Sequence, residues 1–273
     1  MEKLLRNIYK LLMYVMAASF IFSCTTGMED KGEAQIGFTA NLPSDTRTNP
    51  FGKGKQVNTL VVGVFDEQQQ EIYRKDYPIT GSSMNITLIL AQDQTYNFVF
   101  WAYDNSLQCY NIDDLTAIRM NRISTSVTFT DVEATDAFYA IQKNVTIKGD
   151  CSRTIELRRP LAQINIGTTG KSMQASMTAK DVPATFHPFT ESVGEEISNY
   201  TWSFSETATE TFTADGKEYT YLSFGYVFAP DTPMEAAVGL TLTEGEKSKT
   251  VEFAHIGIQA NSRSNIAGNF TNK

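Results

Sequence analysis

The chain has 273 residues and is acidic, with 23 Lys and Arg against 31 Asp and Glu and a formal charge of −8 at pH 7. That balance excludes nucleic acid as an expected partner, because neutralising phosphates needs basic patches. Three cysteines and two histidines, far apart in sequence, leave no zinc-knuckle spacing.

The N-terminus reads as an export signal. Lys3, Arg6 and Lys10 make a short, net positive region, and Leu11 to Phe22 follows without a charge. That run is shorter than the ~20 apolar residues of a spanning helix and suits the core of a secretory signal. It ends in Ile21-Phe22-Ser23-Cys24. A branched aliphatic three before Cys and a small residue just before it resemble a lipoprotein signal-peptidase site. The expectation is a signal peptide over 1–23, a lipid on Cys24 and a polar tether over 24–32. The rest of the chain suits one large all-β domain or two small ones. It holds no second hydrophobic span, so membrane attachment would be through lipid, firm only with several acyl chains.

Beyond the tether the dominant signal is alternation with a period of two. Residues 41–56 form a Pro/Gly/polar loop between strand candidates. Met84, Ile86, Leu88 and Leu90 then share one face, with Asn85 and Thr87 on the other. Tyr96, Phe98, Phe100 and Ala102 follow, then Val145 and Ile147, Ile155 and Leu157, Ala162, Ile164 and Ile166, and finally Val238, Leu240 and Leu242. Such segments read as half-buried strands. Gly81-Ser82-Ser83, Lys148-Gly149-Asp150 and Glu244-Gly245-Glu246 punctuate them, and Asp215-Gly216 predicts a type I′ hairpin. Helical signals are confined to one turn over 112–118 and a weak one over 171–180. The pattern argues for antiparallel sandwiches. Arg159-Pro160 interrupts it, since Pro is disfavoured inside a central strand. We therefore place a boundary there, dividing 33–159 from 160–273.

The inventory for chemistry is thin. His187 lies in Phe186-His187-Pro188, a loop context, and His255 falls in a late strand as a core or edge histidine. Asp113-Asp114 lacks the spaced oxygens of a calcium loop and reads as a solvated turn. No phosphate-binding glycine loop occurs. No catalytic constellation is expected, nor any cofactor or metal. Cys109 and Cys151 would either pair in an oxidising compartment or stay as buried free thiols. Aromatics cluster on two strands, at Phe98, Phe100, Trp101 and Tyr103 and at Tyr219, Tyr221, Phe224, Tyr226 and Phe228. On the first, Trp101 and Tyr103 oppose Phe98 and Phe100. One set faces a core, and the other is either buried between layers or lines a surface that would take a glycan or host protein.

Several segments together resemble the fimbrillin-like surface lipoproteins of the Bacteroidales. They are Phe100-Trp101-Ala102-Tyr103-Asp104, Tyr110-Asn111-Ile112-Asp113-Asp114-Leu115, Asp136-Ala137-Phe138-Tyr139-Ala140, the run from Ile155 to Ile166, and the ending from Ile258 to Phe270. The resemblance implies an all-β chain of two tandem transthyretin-like sandwich domains with few short helices, displayed at the outer membrane. It also implies pilus subunits as partners, joined by donor-strand exchange after an arginine-specific protease removes the first strand. The counterpart strand is Ala34 to Ala40, and Arg47 is the candidate cleavage point. The few residues after Asn269 are too few to fill a groove of ~5–6 residues. That departs from stem subunits, so an anchor, accessory or stand-alone surface role is expected.

Overall fold

The computed structural model describes residues 32–43, 51, 54, 56–121 and 126–270. The first half forms β1 (Glu33–Asn41), β2 (Thr59–Phe65), β3 (Glu71–Pro78), β4 (Ser83–Ala91), β5 (Thr95–Tyr103), β6 (Tyr110–Asn111), β7 (Ile118–Met120), a short helix α1 (Phe129–Glu133), β8 (Phe138–Thr146) and β9 (Cys151–Glu156). The second half forms β10 (Leu161–Thr168), β11 (Gln174–Pro183), β12 (Thr185–His187), β13 (Ser192–Val193), β14 (Ile197–Ser203), β15 (Thr211–Ala214), β16 (Lys217–Phe228), β17 (Met234–Glu244), β18 (Lys247–Ile258) and β19 (Arg263–Gly268). The fold is all-β, built of sandwiches.

One wiring occurs twice. In the first half the sheets are β4-β1-β9 and β3-β2-β5-β8; in the second they are β16-β10-β19, with β15 added outside β16, and β14-β11-β17-β18. Each half thus begins with a strand that lies mid-sheet. β1 is antiparallel to β4 and parallel to β9, as β10 is antiparallel to β16 and parallel to β19. A small sheet, β13-β12-β7-β6, draws strands from both halves.

Alternation builds the first core. Ile36 and Phe38 of β1 and Ile86 and Leu88 of β4 meet Leu60, Val62, Phe98 and Phe100 of β2 and β5. The opposite face of β2 and β5 is buried as well, with Val61, Val99 and Trp101 joining a second cluster that continues into β10, β11, β16 and β17. Trp101 meets Tyr110, Phe186 and Phe228 at ring-centre distances of 5.3–6.5 Å. Gly63 fits this crowded layer because a Cβ there would lie 2.6 Å from the Leu115 side chain and 2.9 Å from the Phe65 ring.

A charged pair is buried beside that layer. The Arg159 guanidinium donates two hydrogen bonds to Asp136, at 2.6 and 2.8 Å, with both side chains nearly inaccessible. Nearby, the Tyr226 hydroxyl donates to the buried Glu133 carboxylate at 3.0 Å. Burial pushes the Asp136 carboxyl up, against the pull of Arg159 and the Ala137 amide.

Three expectations are corrected. Residues 112–118 form no helical turn: Asp114 accepts from the Thr116 amide and hydroxyl, closing a tight turn before β7. Residues 174–180 belong to β11, whose Ala175, Met177 and Ala179 point inward. The one described helix, α1, falls where alternation is silent. Its signal is the capping box Thr128-x-x-Asp131. Asp215 and Gly216 do adopt positive φ, 49° and 74°, at the β15–β16 hairpin.

Removing one partner of a buried pair costs about 3–5 kcal/mol, whereas an exposed pair contributes less than about 1 kcal/mol. Arg159→Met should therefore lower the unfolding free energy by about 3–5 kcal/mol in urea titrations, and Lys143→Met, in the exposed pair with Glu191, by less than about 1 kcal/mol. Without Arg159 the folded-state Asp136 carboxyl rises further above its unfolded value. The deficit should then be smaller at low pH and grow as pH rises through that folded value.

Candidate functional site

The candidate site is the place that β1 fills. Its inward side chains Ala34, Ile36, Phe38 and Ala40 are all buried, while Glu33 and Gln35 are exposed. Its register with β4 runs from Glu33 opposite Ala91 to Asn41 opposite Ser83, and with β9 from Ile36 opposite Cys151 to Asn41 opposite Glu156. Both backbone edges are therefore engaged. Phe38 packs between Phe98 and Phe100, with ring centres 4.9 and 5.1 Å away.

Polar contacts fix the register from outside. The Gln35 amide donates to Asp150 at 2.8 Å, the Thr39 hydroxyl to Asn85 Oδ1 at 3.1 Å, and the Asn41 side-chain amide to Glu156 at 2.7 Å. Past Asn41 the trough opens into a cleft of about 380 Å³ lined by Leu42, Pro43, Val57, Ile79 and Ser82. Phe51, on the connection to β2, lies against the second half. Its ring stacks on Phe224 at 4.4 Å, and its carbonyl accepts from Arg263 at 3.1 Å. Nothing local in the sequence singled out Phe51.

Cys24 and Arg47 lie outside the described residues. Cys109 is buried and Cys151 exposed at the start of β9; both are free thiols, so the disulfide that export would permit is not made. Burial, with Asp104 and Asp131 nearby, pushes the Cys109 thiol up to about 12. His187 is not in a loop but on β12, where its Nδ1 lies 3.2 Å from the Thr116 carbonyl. His255 is an exposed edge residue on β18, paired with Glu235 at 2.7 Å. Asp113 and Asp114 are turn residues. No three His, Cys, Asp or Glu side chains converge among the described residues. Of the two readings for the aromatic strands, burial between layers holds. Trp101 is 0 % and Tyr103 8 % exposed, and Tyr219, Tyr221, Phe224, Tyr226 and Phe228 are likewise buried, because further layers cover both faces of these strands.

Residues 28–273 match a family of unknown function, DUF6562. The chain belongs to this family. No curated protein matches it. Among solved structures, a candidate adhesin from Bacteroides thetaiotaomicron is similar at 11 % identity and a TM-score of 0.50, covering 82 % of this chain and 81 % of that one. The fimbrial anchor protein Mfa2 from Porphyromonas gingivalis is similar at 14 % identity and TM-score 0.48, covering 81 % and 83 %. A fimbrial assembly protein from Parabacteroides distasonis gives 12 % identity and TM-score 0.47, covering 87 % and 91 %. The first of these establishes the shared fold.

Truncating a fully buried Phe typically costs about 3–5 kcal/mol. Phe38→Ala should lower the unfolding free energy by that amount in denaturant titrations, and Thr39→Ala, in a half-exposed hydrogen bond, by about 1 kcal/mol or less. In a chain lacking the signal region and carrying Cys24→Ser, a thiol reagent at pH 8 should modify Cys151 rapidly and Cys109 only on unfolding. Two fast thiols would contradict the packing around Cys109.

Proposed function

We propose that this protein is a fimbrillin-like lipoprotein of the bacterial outer-membrane surface that acts by β-strand addition. It serves as a structural or adhesive component of a pilus, in the anchor or accessory role. The observation that carries this reading is the seat of β1, an apolar strand held between two others and followed by the long connection over 42–58. A strand that fills such a seat can be replaced by another of like pattern, with backbone hydrogen bonds supplying affinity and alternate pockets specificity. The resemblance to fimbrillin-like lipoproteins supports the same reading.

In this scheme 33–159 and 160–273 act as the two structural units, and Cys24 carries the lipid. Cleavage after Arg47 would part the lipid and β1 from the body and free the seat for a strand of a neighbouring subunit. Without cleavage the lipid keeps the protein tethered. The work is structural, not catalytic.

Surface proteolysis of intact cells, combined with N-terminal mapping of the extracted protein, tests both parts. The expected result is exposure at the surface, with a fraction of chains beginning at residue 48 when pili are assembled. Chains that start only at Cys24 under piliating conditions would remove the processing step, and full protection from external protease would remove surface display.

A further inference from the structure

We infer that the open edge of β4 is a docking site for an extended segment of a partner polypeptide, which lies antiparallel to β4 and sets a carboxylate between two apolar side chains over Tyr73, Lys75 and Tyr77 of β3. The site leaves β1 in place and does not depend on its release.

The first sandwich is one strand short on that side. The sheet β4-β1-β9 has three strands and covers β3-β2-β5-β8, which has four. Tyr73, Lys75 and Tyr77 stand opposite Val64, Val62 and Leu60, and residues directly opposite share a face. They therefore point the way that Leu60, Val62 and Val64 point into the first core. Yet Tyr73 is 41 % exposed, Lys75 is exposed, and only Tyr77 packs partly against the core. Lys75 Nζ lies 5.0 Å from the centre of the Tyr77 ring. Core-facing side chains meet water here because the covering sheet ends at β4.

The second half carries a strand at the matching position. There β16 takes the place of β4, and β15 pairs antiparallel with its outer edge. β15 is supplied by the hairpin at Asp215 and Gly216. In the first half the chain passes from β3 to β4 through residues 79–82, which are too few to cross between sheets and add a strand. Among the described residues no strand lies beside β4.

The edge itself is suited to pairing. The Leu42 amide donates to the Ser82 carbonyl at 2.8 Å and the Gln92 amide to the Gly32 carbonyl at 2.7 Å, so both ends of the β1–β4 ladder have the same phase. Residues 84, 86, 88 and 90 bond β1, and Asn85, Thr87 and Ile89 turn their amides and carbonyls to the open side. β4 carries no charge, proline or glycine, and its register is unbroken. Natural edges are usually blunted by charge, proline or a bulge. Here β3, β8, β9, β18 and β19 each carry Lys or Arg, and β14 is interrupted by a register shift. Ile89, on the open edge of β4, is 65 % exposed.

These features specify the occupant. A strand beside β4 repeats its inner side chains at about 6.8 Å, the spacing of Tyr73, Lys75 and Tyr77. Apolar groups then meet the two rings and an anion meets Lys75. The chain's own residues before β1 enter at Gly32, past the end of β4, and reach this edge only in parallel, opposite in sense to β15. A second copy docked through its own β4 would drive its wider sheet into β3. The occupant is thus a segment of another polypeptide.

The test uses the chain lacking the signal region and carrying Cys24→Ser, with the peptide Thr-Phe-Thr-Glu-Thr-Phe-Thr as probe and Thr-Phe-Thr-Lys-Thr-Phe-Thr as its counterpart. Amide hydrogen exchange, read residue by residue by NMR, locates binding. The expected result is fast exchange at Asn85, Thr87 and Ile89 in the chain alone, slowed by the first peptide. The second should bind at least about fivefold more weakly, as an ion pair gives way to like charges, and Lys75→Glu should reverse that order. Thr87→Pro should abolish binding, because it removes an outward amide and no bond to β1. Should Thr87→Pro unfold, the reversal by Lys75→Glu, at an exposed position, decides. Absence of binding, equal binding of both peptides, or binding that leaves these three amides fast would each overturn the proposal. Slow exchange in the chain alone would mean that the chain covers the edge itself, and would overturn the assignment to a partner.

Discussion

A strand placed mid-sheet carries two obligations at once. Its backbone must satisfy neighbours on both sides, and its side chains must fill one face of a core. β1 meets both, with β4 along its whole length and β9 along its last six residues. Without it, two rows of amides and carbonyls would lose their partners and the apolar floor made by Phe98 and Phe100 would meet water. The seat therefore demands an occupant. The first core is organised around that demand, since the four inward residues of β1 lie between the two sheets that would otherwise face each other across a void.

The same wiring recurs in the second half, but the two copies are not merely strung together. The sheet β3-β2-β5-β8 has no solvated face along β2 and β5, because the side turned from the first core adds to the larger second cluster. The cross-half pairing of β7 with β12 extends this contact into a shared small sheet. Arg159 and Asp136 place opposite charges in the same dry region. Their mutual hydrogen bonds offset the desolvation that each would suffer alone.

Much of this was legible in the residues. Alternation located the strands that face a core on one side only, such as Met84 to Leu90, because there the polar and apolar faces separate cleanly. It was ambiguous for Trp101 and Tyr103. A strand covered on both faces reads as continuously apolar, and nothing within it says whether a third layer exists. It was misleading at 171–180, where Met, Ala and Lys carry helix propensity but the pairing with β14 and β17 decides. β3 escaped notice because it is an edge strand with mostly exposed side chains. The seat of β1 was legible as a strand candidate through the family resemblance. Its two-sided pairing was not, since parallel pairing with β9 joins residues more than a hundred positions apart, and no local signal reports that. Phe51 shows the same limit: a single aromatic on a polar loop gives no hint of the Phe224 ring it meets.

The duplicated wiring has an asymmetry in slack. β10 occupies in the second half the place of β1 in the first, yet only residues 157–160 separate it from β9 and 169–173 from β11. It is tied to its chain neighbours by short connections at both ends. β1 is linked to β2 by the whole of 42–58, and Phe51 grips the second half part-way along that stretch. The molecule thus keeps two versions of one architectural position, one joined to both its chain neighbours by short connections and one joined to β2 through the seventeen residues 42–58.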